Sequence, residues 1–274
     1  MKSQLIRAIR ESKEFWRLVL AIFGFQFILA STVGLQMMQV LDASLGNSLS
    51  IEKLRTGFDY TVFTDFVNTH GGSFSVLYGQ MRWMVITYLI FGSFISTGVI
   101  YCIANNGRHL SDFFKGGVQY FFKLFLVDII FAFTSVVVLG VSFAIVGMLF
   151  GIAPTSFDNE LVFLRWTLLI AILAIILIVF LTIWKIKIKF NHIQSDSGIW
   201  SSIGRGLKLF WRDKWKDMGY TFIIFGVSIL LLVLNYAAGD LPLFIMVIII
   251  QLIALIKVFW RIVFYHVLYP ATEV

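Results

Sequence analysis

The sequence predicts an all-α membrane protein with six transmembrane helices. They are arranged as three parallel repeats, each a cytoplasmic amphipathic helix followed by a transmembrane hairpin. Three observations carry this. Six apolar runs are long enough to cross a bilayer, positive charge gathers on one side of them, and the chain matches itself when shifted by 89 residues.

Of the 274 residues, 59% are hydrophobic and only 14% charged, with a mean hydropathy of +0.90. That composition belongs to membrane proteins, not to soluble domains. The runs are Phe15–Met38, Trp83–Ala104, Leu124–Phe150, Leu164–Trp184, Met218–Ala238 and Leu241–Phe264. A helix of about 20 residues rises about 30 Å, the thickness of the hydrocarbon layer. The runs are continuously apolar, without the in–out alternation of a transmembrane β-barrel.

Charge supplies the orientation. With both termini cytoplasmic, every one of the 22 Lys and Arg residues except Lys53, Arg55, Arg82 and Arg165 lies on the cytoplasmic side. Acidic residues divide evenly between the two sides, as the positive-inside rule allows. The net charge of +7 therefore reports topology, and no nucleic-acid partner is expected. All eight tryptophans fall at predicted span ends, where an indole is at home among headgroups. The sole cysteine, Cys102, is expected to be a reduced packing residue. Leu18–Ala30 has the look of a signal-peptide core, but the preceding arm carries Glu11 and Glu14 and the apolar run continues to Met38, so a retained first span is expected.

At the 89-residue shift, Gly117 falls on Gly206, Phe121 on Phe210, Phe122 on Trp211, Lys123 on Arg212 and Asp128 on Asp217. Phe15-Trp16-Arg17 echoes Phe210-Trp211-Arg212, giving repeat units of about 3–104, 109–190 and 199–268. In His109–Lys123 an apolar face of Leu110, Phe113, Phe114, Gly117, Val118, Phe121 and Phe122 opposes Asp112, Lys115, Gln119 and Lys123. Ile199–Arg212 has the same pattern. Such helices are expected to lie in the membrane interface, the alternative being cytoplasmic extensions of the following spans. All three units run in the same sense, so they are parallel repeats. Mitochondrial carriers also contain three two-span repeats, but their Pro-x-Asp/Glu-x-x-Lys/Arg signature is absent here.

Residues 42–82 form the one sizeable external segment. Ser50 and Asp59 are candidate N-caps, the second helix being expected to stop at Gly71-Gly72. Tyr60, Phe63 and Phe66 share a face of it and are candidate partner contacts. Ser48–Gly72, SLSIEKLRTGFDYTVFTDFVNTHGG, together with the span spacing, resembles a group of bacterial multi-pass membrane proteins without assigned activity. The resemblance implies six helices in a bacterial cytoplasmic (inner) membrane and carries over no functional residues.

Four polar residues within the spans are candidate sites. Asp128 lies about one turn inside span three, where an unpaired carboxylate costs a few kcal/mol. Its expected role is structural, pairing with interfacial Lys or Arg or capping the local turn, with proton relay or substrate binding as the alternative. Gln26 and Gln251 lie near mid-depth and are expected to bond to neighbouring helices, and Lys257 to extend towards the cytoplasmic surface. Gly140, Ala144, Gly147 and Gly151 make a small-residue stripe in span three. It is expected to pack against span two, with dimerisation as the alternative. Trp184-Lys185-Ile186-Lys187-Ile188-Lys189 reads as a charged collar ending span four.

No metal-ligand spacing, phosphate-binding loop or nucleophile motif is present, so neither a cofactor, a metal nor a catalytic residue is expected. The three prolines, Pro154, Pro242 and Pro270, lie outside the span interiors, which weighs against the broken helices of many transporters. The expected function is non-catalytic: a scaffold, an accessory subunit or a lipid-interacting envelope component. Its expected partners are membrane lipids, anionic headgroups at the cytoplasmic face, and another membrane protein. The alternative is a transporter or channel for a small or apolar substrate.

Overall fold

A computed structural model describes residues 2–45, 60–150, 160–195, 198–240 and 242–269. These form seven α-helices and no strand: α1 (Lys2–Lys13), α2 (Trp16–Leu45), α3 (Tyr60–Ala104), α4 (Leu110–Phe150), α5 (Glu160–Ser195), α6 (Ile199–Ala237) and α7 (Leu243–Leu268), with a 3-10 turn at Ala238–Asp240. Six of them, α2 to α7, are long and apolar enough to cross a membrane. The chain is thus an all-helical, multi-pass membrane protein.

Several elements depart from expectation. No break separates the amphipathic stretches at 109–123 and 199–212 from the spans that follow, because α4 and α6 are continuous. The 41 residues of α4 rise about 61 Å, twice the hydrocarbon thickness. Only α1 is a separate helix, set off from α2 by a turn at Glu14-Phe15. Likewise α3 passes through Gly71-Gly72 without stopping. Glycine costs about 1 kcal/mol per helical residue relative to alanine, and the flanking Asn68, Thr69, His70 and Ser73 are only middling helix formers, so propensity does not account for the continuity. The proposed caps Ser50 and Asp59, and Gly151 of the small-residue stripe, lie outside the described residues, as do the side chains of Tyr60, Phe63 and Phe66.

The chain divides into two compact units, residues 1–20 with 93–274, and residues 21–92. The smaller holds most of α2 and α3, where the Phe25 and Phe91 rings lie 4.4 Å apart.

In the larger unit, each helix that ends at the basic side packs on the helix that begins there. The α3–α4 turn is a Schellman motif: Asn106 adopts φ 51°, and the Gly107 N–H donates to the Cys102 carbonyl at 2.9 Å. Asp112 then accepts from the His109 N–H at 3.3 Å, half of a capping box. Small residues let the backbones close up. A Cβ on Gly98 would stand 2.5 Å from the Phe113 ring, one on Gly117 2.7 Å from Phe94, and one on Gly206 2.6 Å from Ile188. A third helix pair, α7 with α1, joins the two ends of the chain. Ala8 of α1 is buried with Tyr220, Val263 and Val267, the Gln4 amide donates to the Val267 carbonyl at 3.4 Å, and Ser12 Oγ lies 3.0 Å from His266 Nδ1.

The buried stripe of α4 is Phe113, Gly117, Tyr120, Leu124, Val127 and Phe131, alternating steps of four and three like a coiled-coil seam. It takes only part of the predicted apolar face, for Phe114, Val118 and Phe122 remain exposed. Towards the other end of the bundle, Phe133, Val136, Phe143, Leu173, Leu232 and Val247 are also exposed. The reason is the solvent. Lipid tails are as apolar as leucine and do not drive helices together, whereas water beyond the hydrocarbon does.

Two further expectations concern the small-residue stripe and the tryptophans. A Cβ on Gly140 or Gly147 would meet nothing within 4 Å, and Ala144 is exposed. Within the larger unit the close approach of α4 to α3 is made by Gly98, Gly116 and Gly117. Nor do all the tryptophans form a headgroup belt. Trp16, Trp83, Trp200, Trp211 and Trp215 are exposed, but Trp184 packs edge-on to Phe131 at 5.2 Å and Trp260 lies against the Tyr220 cluster.

Candidate functional site: a buried lysine–aspartate cluster

The last turns of α5 are the central post of the larger unit. Ile186, Lys187, Ile188, Lys189 and Phe190 are all buried, more than one full turn with no face to solvent. The lysines expected to form a charged collar are therefore interior groups: Lys187 and Lys189 are each 1% exposed. A buried ammonium persists only where it is paired and hydrogen-bonded.

Helix geometry decides how they are paired. Residues two apart on a helix point about 200° apart, while residues four apart share a face. Lys185 and Lys189 thus face α4, and Lys187 faces α6. Lys189 Nζ donates to Asp128 Oδ2 at 2.6 Å and to Ser96 Oγ of α3 at 2.7 Å, while Lys185 Nζ lies 3.4 Å from Asp128 Oδ1. On the opposite side, Lys187 Nζ donates to Asp213 Oδ2 at 3.2 Å and the Leu209 carbonyl at 3.4 Å. It also stands 2.6 Å from Asp217 Oδ2, an ion contact without the alignment of a good hydrogen bond. Three ammonium groups thus meet three carboxylates, and Arg212 joins Asp213 from the surface at 3.4 Å.

Asp128 and Asp217, equivalent at the 89-residue shift, consequently hold alternate lysines of one helix. Pairing was expected for Asp128; its partners were not. The available clue was the isoleucine at every second position. Alternating Ile and Lys leaves no single wet face on a helix, so the lysines had to be satisfied inside.

The other predicted positions do not join this cluster. Gln251 on α7 is half-buried, as is Gln26 in the smaller unit; among the described residues neither bonds to a neighbouring helix, contrary to expectation. Lys257 is exposed on α7 and lines a groove between α5, α6 and α7. Cys102 is buried and reduced.

A cleft of about 870 Å3 opens at the basic end beside α1, with Arg7, Glu11, Glu14, Arg108, Lys216 and His266 in its lining. Its charges largely neutralise one another: Arg7 pairs with Glu11 at 2.7 Å and Arg108 with Glu14 at 2.7 Å. The bond to Glu11 holds the Arg7 guanidinium above its ordinary pKa. Ser12, beside His266, is fully buried, so its hydroxyl ties α1 to α7 and is closed to a substrate. Among the described residues, no group of three His, Cys, Asp or Glu could hold a metal ion. Comparison with known protein families, curated proteins and solved structures finds no match for this chain.

Proposed function

We propose that the chain is a non-catalytic component of a bacterial cytoplasmic membrane, a scaffold in contact with anionic lipid, with both termini cytoplasmic. The observation that carries this is the cluster itself. Its charges are matched three to three and held by contacts from α3, α4 and α6 to α5, an arrangement that clamps helices together. A solute path needs polar groups or freed backbone at mid-depth, and α4 to α6 run unbroken through that region.

The equivalent use of Asp128 and Asp217 supports the threefold repeat, as do the matching contacts of α4 on α3, α6 on α5 and α1 on α7. The exposed Phe114, Val118 and Phe122 beside Lys115 and Lys123 suit a surface resting at headgroup level. The apolar far halves of the helices then face lipid or the helices of a partner protein.

Reconstitution into sealed liposomes tests the reading. The wild-type protein is expected to carry no ion or small-solute flux, and Asp128→Asn to change thermal stability alone. Solute flux that vanishes in a folded Asp128→Asn protein would establish transport instead.

A further inference from the structure

Between α5, α6 and α7 runs a groove of about 280 Å3, lined on α5 by Val179 and Thr182, on α6 by Thr221 to Leu231, and on α7 by Lys257, Trp260, Arg261 and Phe264. From its position and lining we infer that the groove holds one acyl chain of an anionic phospholipid, whose phosphodiester rests on Lys257 and Arg261. The inference rests on the reading of this chain as a lipid-contacting membrane protein and assigns the lipid a place.

Two features select this occupant. First, the lining contains two cations and no carboxylate, one helical turn apart on one face of α7. Phosphate headgroups complement that pair; zwitterionic headgroups do so less well, because their own cation is repelled. Second, apart from those two cations and the Trp260 indole N–H, which is buried without a partner, the groove offers a polar solute no free donor. The hydroxyls that line it turn back on their own helices: Thr182 donates to the Ile178 carbonyl at 2.8 Å, Thr221 to the Asp217 backbone carbonyl at 2.8 Å and Ser228 to the Ile224 carbonyl at 2.9 Å. What remains is an apolar wall of Val179, Ile224, Phe225, Leu231 and Phe264. A volume of about 280 Å3 takes a stretch of one hydrocarbon chain, the remainder of which lies in the surrounding lipid. The residues from Thr221 to Leu231 rise about 15 Å along α6, a run along which such a chain can lie.

Native mass spectrometry of the full-length protein in detergent tests the assignment. Phosphatidylglycerol and phosphatidylcholine of identical chains are the probes, and inorganic phosphate is a competitor. The wild type is expected to retain phosphatidylglycerol preferentially, with no displacement by millimolar phosphate. Lys257→Gln with Arg261→Gln is expected to lower that retention about 10- to 30-fold, the effect of two cations near an anionic headgroup. Lys257→Arg should keep it, and Lys208→Gln on the surface of α6 should leave it unchanged. Ser228→Phe, which fills the groove and spares both cations, should also abolish retention. Should the double variant fail to fold, Lys257→Gln alone carries the test, because that side chain is exposed, and about fivefold loss is expected. Equal retention of both lipids, displacement by free phosphate, or undiminished binding by the charge or groove variants would overturn the assignment. Solute flux in liposomes would instead sink the scaffold reading, so the two failures are distinguishable.

Discussion

The ammonium of Lys189 donates to Asp128 Oδ2 at 2.6 Å, joining α5 to α4 at a point where the lysine has almost no solvent contact. Removing the Asp128 carboxylate strands Lys189 as a buried charge, at a cost of about 3–5 kcal/mol, whereas Asp128 without Lys189 keeps Lys185 at 3.4 Å. Asp128→Asn is expected to lose that much and Lys189→Met less, while Asp128→Leu with Lys189→Met should recover most of the loss. Unfolding of all three in one detergent measures the coupling. Independent, additive losses would show that the two residues do not act as a pair.

Alternation along α5 predicts a second contrast. Lys185 keeps 30% of its side-chain exposure and Lys187 only 1%. Lys185→Gln should therefore cost under about 1 kcal/mol. Lys187→Gln, which leaves Asp217 buried without its cation, should cost about 3–5 kcal/mol. Equal effects would contradict the burial of Lys187.

The glycines divide by position. A Cβ on Gly98 would press on Phe113, reaching its carbonyl oxygen at 2.8 Å, and one on Gly206 would stand 3.1 Å from the Ile188 backbone. Gly98→Ala and Gly206→Ala are expected to destabilise by about 1–3 kcal/mol. Gly140→Ala meets open space and should be neutral, or stabilise by up to about 1 kcal/mol through helix propensity. Melting curves of the three single variants decide it.

Cys102, the sole thiol, is 1% exposed. A maleimide dye should leave the native protein unlabelled and react fully once α3 separates from its neighbours. Its labelling rate should rise with the same temperature midpoint as loss of helical signal. Rapid labelling of the folded protein would show that the α3 contact is open.

The close approach of Gln4 to Val267 predicts that the two ends of the chain share one side of the membrane. Impermeant labelling of a tag at each end, in sealed cells, should reach neither from outside. Labelling of one tag but not the other would rule out an even number of crossings.

The six spans and their basic side could be read from the sequence because hydrophobic length and lysine placement are local properties, set by the thickness and charge of the bilayer. The match of Asp128 with Asp217 at the 89-residue shift was likewise legible, as one letter recurring at that spacing. Gly117 matched Gly206 at the same shift, but only packing showed that Phe94 occupies the space above it. The fate of Trp184 to Lys189 also depended on tertiary structure. The same six letters make a wet collar when a helix end projects into water and a buried clamp when three other helices surround it. Which occurs depends on neighbours remote in sequence, Ser96, Asp128, Asp213 and Asp217, whose carboxylates and hydroxyl make it physically possible for two lysines to leave the solvent.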